Sequence, residues 1–250
     1  MSDSRFRYVL RLADTSLILG QRLGEWVGHA PAIEEDLGLA NIALDLIGQA
    51  RLLLSYAGEL EGRGRSEDDL AFLREQSEYF NLALVEQPNG DFGQTILRQF
   101  LIDAYQLELF ERLVNSSDAR LAAIIAKALK EARYHYRYSS GWVVRLGDGT
   151  AESHARMQAA LQTLWPHTNE LFDADALDLE MAASGVAPPL EQLALAWSAR
   201  VDAVLVEATL QRPANLPFSW YGKHGRHGEA FGYLLAEMQY LQRAHPGASW

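Results

Sequence analysis

The sequence predicts an all-α fold built from paired long helices in a single domain spanning residues 1–250. Three observations carry this reading. Apolar residues recur three and four apart along most of the chain, the period of a helix with one buried face. No run alternates β-branched residues as a strand does. Proline and glycine stand at intervals suited to separating long helices. The chain is 48% apolar and 22% charged over 250 residues, ample for a sizeable core.

The first helix is expected from Arg5 to His29, with Tyr8, Leu12, Leu19, Leu23 and Trp26 on its apolar face and Pro31 stopping it. The second opens at Ala32, with Glu34, Glu35 and Asp36 at the positive end of its dipole, and closes at the Gly62–Gly64 loop. It is apolar around much of its circumference and is therefore expected to be central. A third helix is expected over Glu67–Leu84, followed by a turn at Pro88-Asn89-Gly90. A fourth covers Phe92–Asn115. A fifth, capped by Ser117 or Asp118, ends near Gly147 and Gly149. The sixth runs from Ala151 to Glu170 with Pro166 as a kink or break. Shorter helices follow over Asp175–Ser184 and from Pro188 to Gln211. An ordered loop, Arg212–Gly228, leads to a last helix over Glu229–Arg243.

Composition excludes several functions. With no cysteine there is no disulfide, thiolate zinc site, protein-held iron–sulfur cluster or cysteine nucleophile. A net charge of −11 argues against nucleic acid as a partner. The first residues lack the apolar run of a signal peptide, and no stretch reaches the uninterrupted apolar length of a membrane helix. A cytoplasmic location and no membrane partner are expected.

Paired long helices are the scaffold of carboxylate-bridged di-iron proteins, which supply a Glu from each of two helices and Glu-x-x-His from each of two others. The chain does not meet that demand: none of its seven histidines stands three residues after a glutamate. Glu25…His29 and Glu131…His135 are spaced by four, and His29 lies where a helix C-terminus favours imidazolium by itself. If the two long helix pairs are equivalent, the ligand motifs fall on Asp45-x-x-Gly48 and Glu131-x-x-Tyr134. The central slot then holds Asp45, Gln49, Asp103, Glu131 and His135. This set is read as a buried polar network, with Lys127, Lys130 and Arg133 close enough in sequence to neutralise Glu131. The alternative is a metal-binding subunit with its own oxygen-ligand site. No catalytic residue and no metal ligand is assigned.

Two further features stand out. Tyr221-Gly-Lys-His-Gly-Arg-His-Gly228 sets Lys223, His224, Arg226 and His227 among glycines just before a helix start. Such a loop can hold an anion such as a CoA phosphate, or dock on acidic surface of its own chain or a partner. Tyr134, Tyr136, Tyr138 and Trp142, with Trp220, Tyr221 and Trp250, offer aromatics to a core or to a second chain.

The segments RLGEWVGHAPAIEEDLGLANIALDLIGQARLLLSYAGEL, LVEQPNGDFGQTILRQFLIDAY, KALKEARYHYRYSSGWVVRLGDGT, LFDAD and LLAEMQYLQRAHPGASW resemble the family of C subunits of bacterial phenylacetyl-CoA 1,2-epoxidase. The resemblance implies a ferritin-like bundle with extra C-terminal helices. It implies a structural, non-catalytic subunit of a multicomponent monooxygenase of phenylacetate catabolism. The implied partner is a related catalytic subunit that bears the di-iron centre. A separate reductase holds flavin and an iron–sulfur cluster, and this chain holds no cofactor. Isolated from its partner, the chain is expected to be able to form a homodimer.

Overall fold

The protein is described by a computed structural model covering residues 2–215 and 221–248. Every regular element among the described residues is helical: α1 (Ser2–Trp26), α2 (Ile33–Glu61), α3 (Glu67–Phe72), α4 (Phe92–Leu113), α5 (Ala119–Gly147), α6 (Ala151–Leu164), α7 (Ala176–Ala183), α8 (Leu190–Glu207) and α9 (Glu229–Ala244), with short 3-10 turns. The contacts divide the chain into two compact units. One joins Met1–Gln87 to Trp220–Trp250; the other is Pro88–Ser219.

In the first unit α1 packs along α2, and α3 and α9 complete it. Leu10, Leu17, Ile18 and Leu23 of α1 are buried, as are Leu39, Ile42, Leu46 and Leu53 of α2. In α2 the three and four residue spacing places the set on one face, whereas α1 is buried almost all round from Tyr8 to Leu23. In the second unit α4 is the central helix: α5, α6 and α8 all pack on it, and Ile96 through Phe110 are buried. The all-round burial expected for the second helix thus belongs to α4 and, in the first unit, to α1. α2 leaves Ile33, Leu37 and Leu44 exposed.

The largest departure from the sequence expectation lies after α3. The helix expected to reach Leu84 stops at Phe72, gives one 3-10 turn at Gln76–Glu78, and the chain then runs without helix to Asp91. Tertiary partners explain the stop. The Asp14 carboxylate, on α1, accepts the Phe80 N–H at 2.9 Å and pairs with the Arg74 guanidinium. Thr15 Oγ accepts the Leu82 N–H (3.3 Å). Arg74 also donates to the carbonyls of Leu70 and Glu78, and lies 4.0 Å over the Tyr79 ring. A buried backbone must have its polar groups satisfied, and here α1 side chains supply partners that a helix would otherwise supply itself.

The remaining boundaries follow local signals. Asp91, Asp118, Thr150 and Asp175 cap α4, α5, α6 and α7 through backbone N–H groups of the first turn. At Pro166 α6 gives way to 3-10 turns over Trp165–Phe172, because proline removes a helical donor.

Asp14 is fully buried and Arg74 nearly so. Replacing Asp14 by Ala strands a buried guanidinium, and is expected to cost about 3–5 kcal/mol of stability. Asp14→Asn, which keeps an acceptor, is expected to cost less. Urea unfolding midpoints of the three proteins check this; equal midpoints for wild type and Asp14→Ala contradict it.

Candidate functional site

The polar centre of the second unit forms around Asp103 on α4. Its Oδ1 accepts from Gln99 Nε2 at 2.7 Å, and its Oδ2 accepts from Ser139 Oγ at 2.7 Å. Gln99 and Asp103 are four apart on α4, and His135 and Ser139 four apart on α5, so each pair shares a helical face. All four residues are buried. Burial pushes the Asp103 carboxyl up to about 6, against the opposing pull of nearby His135 and the bonds from Ser139 and Gln99.

The structure therefore brings two of the five expected network residues together, Asp103 and His135. Glu131, one turn before His135, is half-buried; Arg133, expected beside it, reaches Glu111 at 3.6 Å. Asp45 is half-buried and Gln49 buried, both on α2 in the first unit. Gln99 and Ser139 lie outside the expected set of Asp45, Gln49, Asp103, Glu131 and His135. Their four-residue offsets from Asp103 and His135 are the signal that could have found them. Among the described residues, no group of three or more His, Asp or Glu is arranged to hold a metal ion.

A second buried carboxylate also lies outside the expected set. Burial raises the Glu108 carboxyl, but Arg112 (2.6 Å) and Arg200 (2.8 Å) outweigh that and hold it below its ordinary value. Arg200 also lies 5.1 Å over the Tyr136 ring, and Trp197 Nε1 donates to the Leu101 carbonyl at 3.0 Å. This cluster locks α8 to α4.

The basic loop binds an anion, and the anion belongs to the same unit. Glu86 Oε1 accepts the Gly228 N–H at 2.7 Å, at the N-terminus of α9. Glu86 Oε2 lies 2.8 Å from His227 Nδ1 and 3.2 Å from Asn81 Nδ2. His227 Nε2 is 3.0 Å from the Tyr79 carbonyl. Both ring nitrogens lie within hydrogen-bond distance of an acceptor oxygen. The ring stacks on Phe231 at 4.1 Å.

The loop glycines serve the docking. A Cβ on Gly222 would lie 2.1 Å from the Asn81 carbonyl oxygen, and one on Gly225 2.3 Å from that of Ser77. Gly225 also takes φ +72°, which favours glycine. Lys223 and His227 are buried, whereas His224 and Arg226 are exposed. Of the aromatic candidates, Tyr134 is exposed, Tyr136 packs on Phe100 and Trp142 on Phe92, while Trp220 and Trp250 lie outside the described residues. The first unit also has a cleft of about 410 Å³. Its four arginines face Asp3, Glu61 and Glu78 in the same wall, so its charge is largely balanced.

Asp103 makes stability depend on pH. An unfolded carboxyl releases its proton near 3.8 and the folded Asp103 near about 6. Between those values the folded state holds more protons, so this contribution to stability falls as pH rises through the window. Gln99 Oε1 has no hydrogen-bond partner among the described residues, so a rotated Gln99 amide can accept from an asparagine at 103. Asp103→Asn is thus expected to fold and to lose this fall. Relative to the variant, wild type should lose several degrees of Tm between about pH 4 and about pH 7. A Tm difference that stays constant across that range contradicts the assignment.

Comparison with known proteins places the chain. Residues 1–250 match the family described as phenylacetic acid catabolic protein. The chain is 56% identical over 243 residues to the C subunit of the 1,2-phenylacetyl-CoA epoxidase of Escherichia coli strain K12, an alignment covering 97% of this chain and 98% of that one. The all-α architecture agrees with the ferritin-like class that the resemblance implied. This chain belongs to the phenylacetic acid catabolic protein family.

Proposed function

We propose that this chain is the non-catalytic structural subunit of a cytoplasmic phenylacetyl-CoA 1,2-epoxidase. It pairs with a related catalytic subunit that holds the di-iron centre, while a reductase with flavin and an iron–sulfur cluster supplies electrons. The observation that carries this reading is the 56% identity, along nearly the whole chain, to the C subunit of such an epoxidase.

The donor set supports a role without iron. The sequence has no Glu-x-x-His, and Asp103 is already engaged by Gln99 and Ser139. Those residues do not suit a di-iron pair, and no chemical step is assigned to this chain. The alternative, a metal held by Asp45, Asp103, Glu131 and His135, gains no support from Asp103's hydrogen bonds. What the chain contributes is a shaped helical surface, stabilised by its own buried ion pairs. Any contact of the basic loop with a CoA phosphate falls to His224 and Arg226, because Lys223 and His227 are turned into the protein. Away from its partner, the chain pairs with itself.

Reconstitution tests the proposal. Epoxidation of phenylacetyl-CoA is expected to require this chain in addition to the catalytic subunit and the reductase, and the two subunits are expected to co-purify. Full activity from the catalytic subunit and reductase alone contradicts it.

A further inference from the structure

We propose that the outer face of α5 is a docking site for an acidic amphipathic helix of a partner protein. The inference rests on a stripe of cations along α5 and is independent of the epoxidase reading.

α5 carries six lysines and arginines against one carboxylate, Glu131, in a chain whose acidic residues outnumber its basic ones 33 to 22. Two of the chain's three lysines stand here and are exposed, whereas the third, Lys223, is buried. The sequence alone suggests that Lys127, Lys130 and Arg133 neutralise Glu131. In the structure all three are exposed, and Arg133 meets Glu111 instead, at 3.6 Å. Arginines elsewhere find carboxylates: Arg65, Arg112, Arg200 and Arg212 each meet one at 2.5–2.7 Å. Among the described residues, Lys127, Lys130, Arg137 and Arg145 meet none. Like charges three and four apart on a helix repel, so Lys127, Lys130, Arg133 and Arg137 strain the uncovered face, and bound carboxylates relieve it.

The spacing selects a helix as the occupant. Lys127, Lys130, Tyr134, Arg137, Gly141 and Arg145 follow one another at steps of three or four residues and form one stripe. Its cations stand at heights of about 0, 4.5, 15 and 27 Å, gaps of roughly one, two and two helical turns. A helix with Glu or Asp once per turn along one side meets each of them. The two wider gaps hold Tyr134 and Gly141. Tyr134 is 42% exposed, with the Arg137 guanidinium 5.8 Å over its ring, and offers an amphipathic contact. At Gly141, among the described residues, nothing lies within 4 Å of a Cβ built there, which leaves a notch for an apolar side chain. A lipid surface fits less well. Tyr134 is the one large hydrophobic side chain that α5 exposes among the described residues, so little can insert. The net charge of −11 also repels an anionic bilayer or a nucleic acid as a whole, whereas a short acidic helix engages the stripe alone.

Fluorescence anisotropy of a labelled, blocked helical peptide of about 25 residues, titrated with the full chain, tests this. The peptide carries a glutamate once per turn along one side and leucines beside them. Two control peptides replace Glu by Gln or scatter the same glutamates around the helix. The first peptide is expected to bind, to weaken about tenfold or more between about 20 mM and about 300 mM salt, and to bind at least about tenfold more tightly than either control. Lys127→Glu with Lys130→Glu should weaken it at least about tenfold at low salt. Gly141→Leu should weaken it severalfold by filling the notch, an effect that charge alone does not give. Arg156→Glu, an exposed cation on α6, should leave binding unchanged, and circular dichroism should show equal helix in every variant. Absence of peptide binding overturns the proposal. So does equal binding of the scattered peptide, or binding unaffected by the lysine pair. Binding of phosphatidylserine vesicles or duplex DNA through the same lysines, without binding of the peptide, assigns the stripe to another anion and overturns it equally. Reconstitution of epoxidation bears only on the epoxidase reading.

Discussion

A carboxylate on the first helix governs the path of the chain some sixty residues later. Asp14 is completely buried, and its two oxygens take the Arg74 guanidinium and the Phe80 N–H. A buried charge is tolerated only when paired and hydrogen-bonded, and here each partner satisfies the other. The pairing fixes the non-helical run after α3, whose Tyr79, Asn81, Leu82, Ala83, Leu84 and Val85 are all buried. A buried irregular segment is unusual because its backbone needs partners, and α1 provides two of them through Asp14 and Thr15. The return of the chain depends on the same run. Gln239 of α9 donates to the Arg74 carbonyl and the Tyr79 hydroxyl, and Glu86 receives His227 and the α9 N-terminus. Burial raises the Tyr79 phenol to about 12, so it stays a neutral donor to the Ala71 carbonyl.

The second unit solves a similar problem with neutral partners. Asp103 sits in the middle of α4 and takes its bonds from an amide and a hydroxyl, with His135 nearby. Glu108, further along the same helix, is instead neutralised by Arg112 and Arg200. The contrast shows how environment divides two carboxylates on one helix: one is raised by burial, the other lowered by guanidinium. Neither arrangement presents open donors in the manner of a di-iron ligand set. What these ionisable groups secure is the packing of α4 against α5 and α8.

Much of this architecture is legible in the sequence. Helix periods, the Pro31 stop, the Asp118 cap and the Pro166 break are all local, and the structure agrees with each to within a few residues. The third helix departs from expectation because its competitor is distant: no local signal says that Asp14 and Thr15 will claim the N–H groups of Phe80 and Leu82. The central role passes from α2 to α4 for a related reason. An apolar circumference shows that burial is wanted, not whether the chain itself or a second chain provides it. At the candidate site, the chemistry of Asp103 and His135 is visible from their residue types, but Gln99 and Ser139 are common helix residues whose role emerges only when α4 and α5 meet. The glycine-rich loop reads either as an anion site or as a docking loop; the residue that meets His227 and the Gly228 N–H, Glu86, lies too far along the chain to be paired by motif.

The central claim is that side chains, and not helical bonds, hold the run from Tyr79 to Glu86 in place. Native-state amide hydrogen exchange reads this directly at Phe80, Leu82 and Gly228, whose N–H groups are accepted by Asp14, Thr15 and Glu86. These amides should exchange as slowly as those of the core of α1, and Phe80 should speed up sharply in Asp14→Ala. Exchange at the rate of an exposed loop in the wild-type protein would contradict the account.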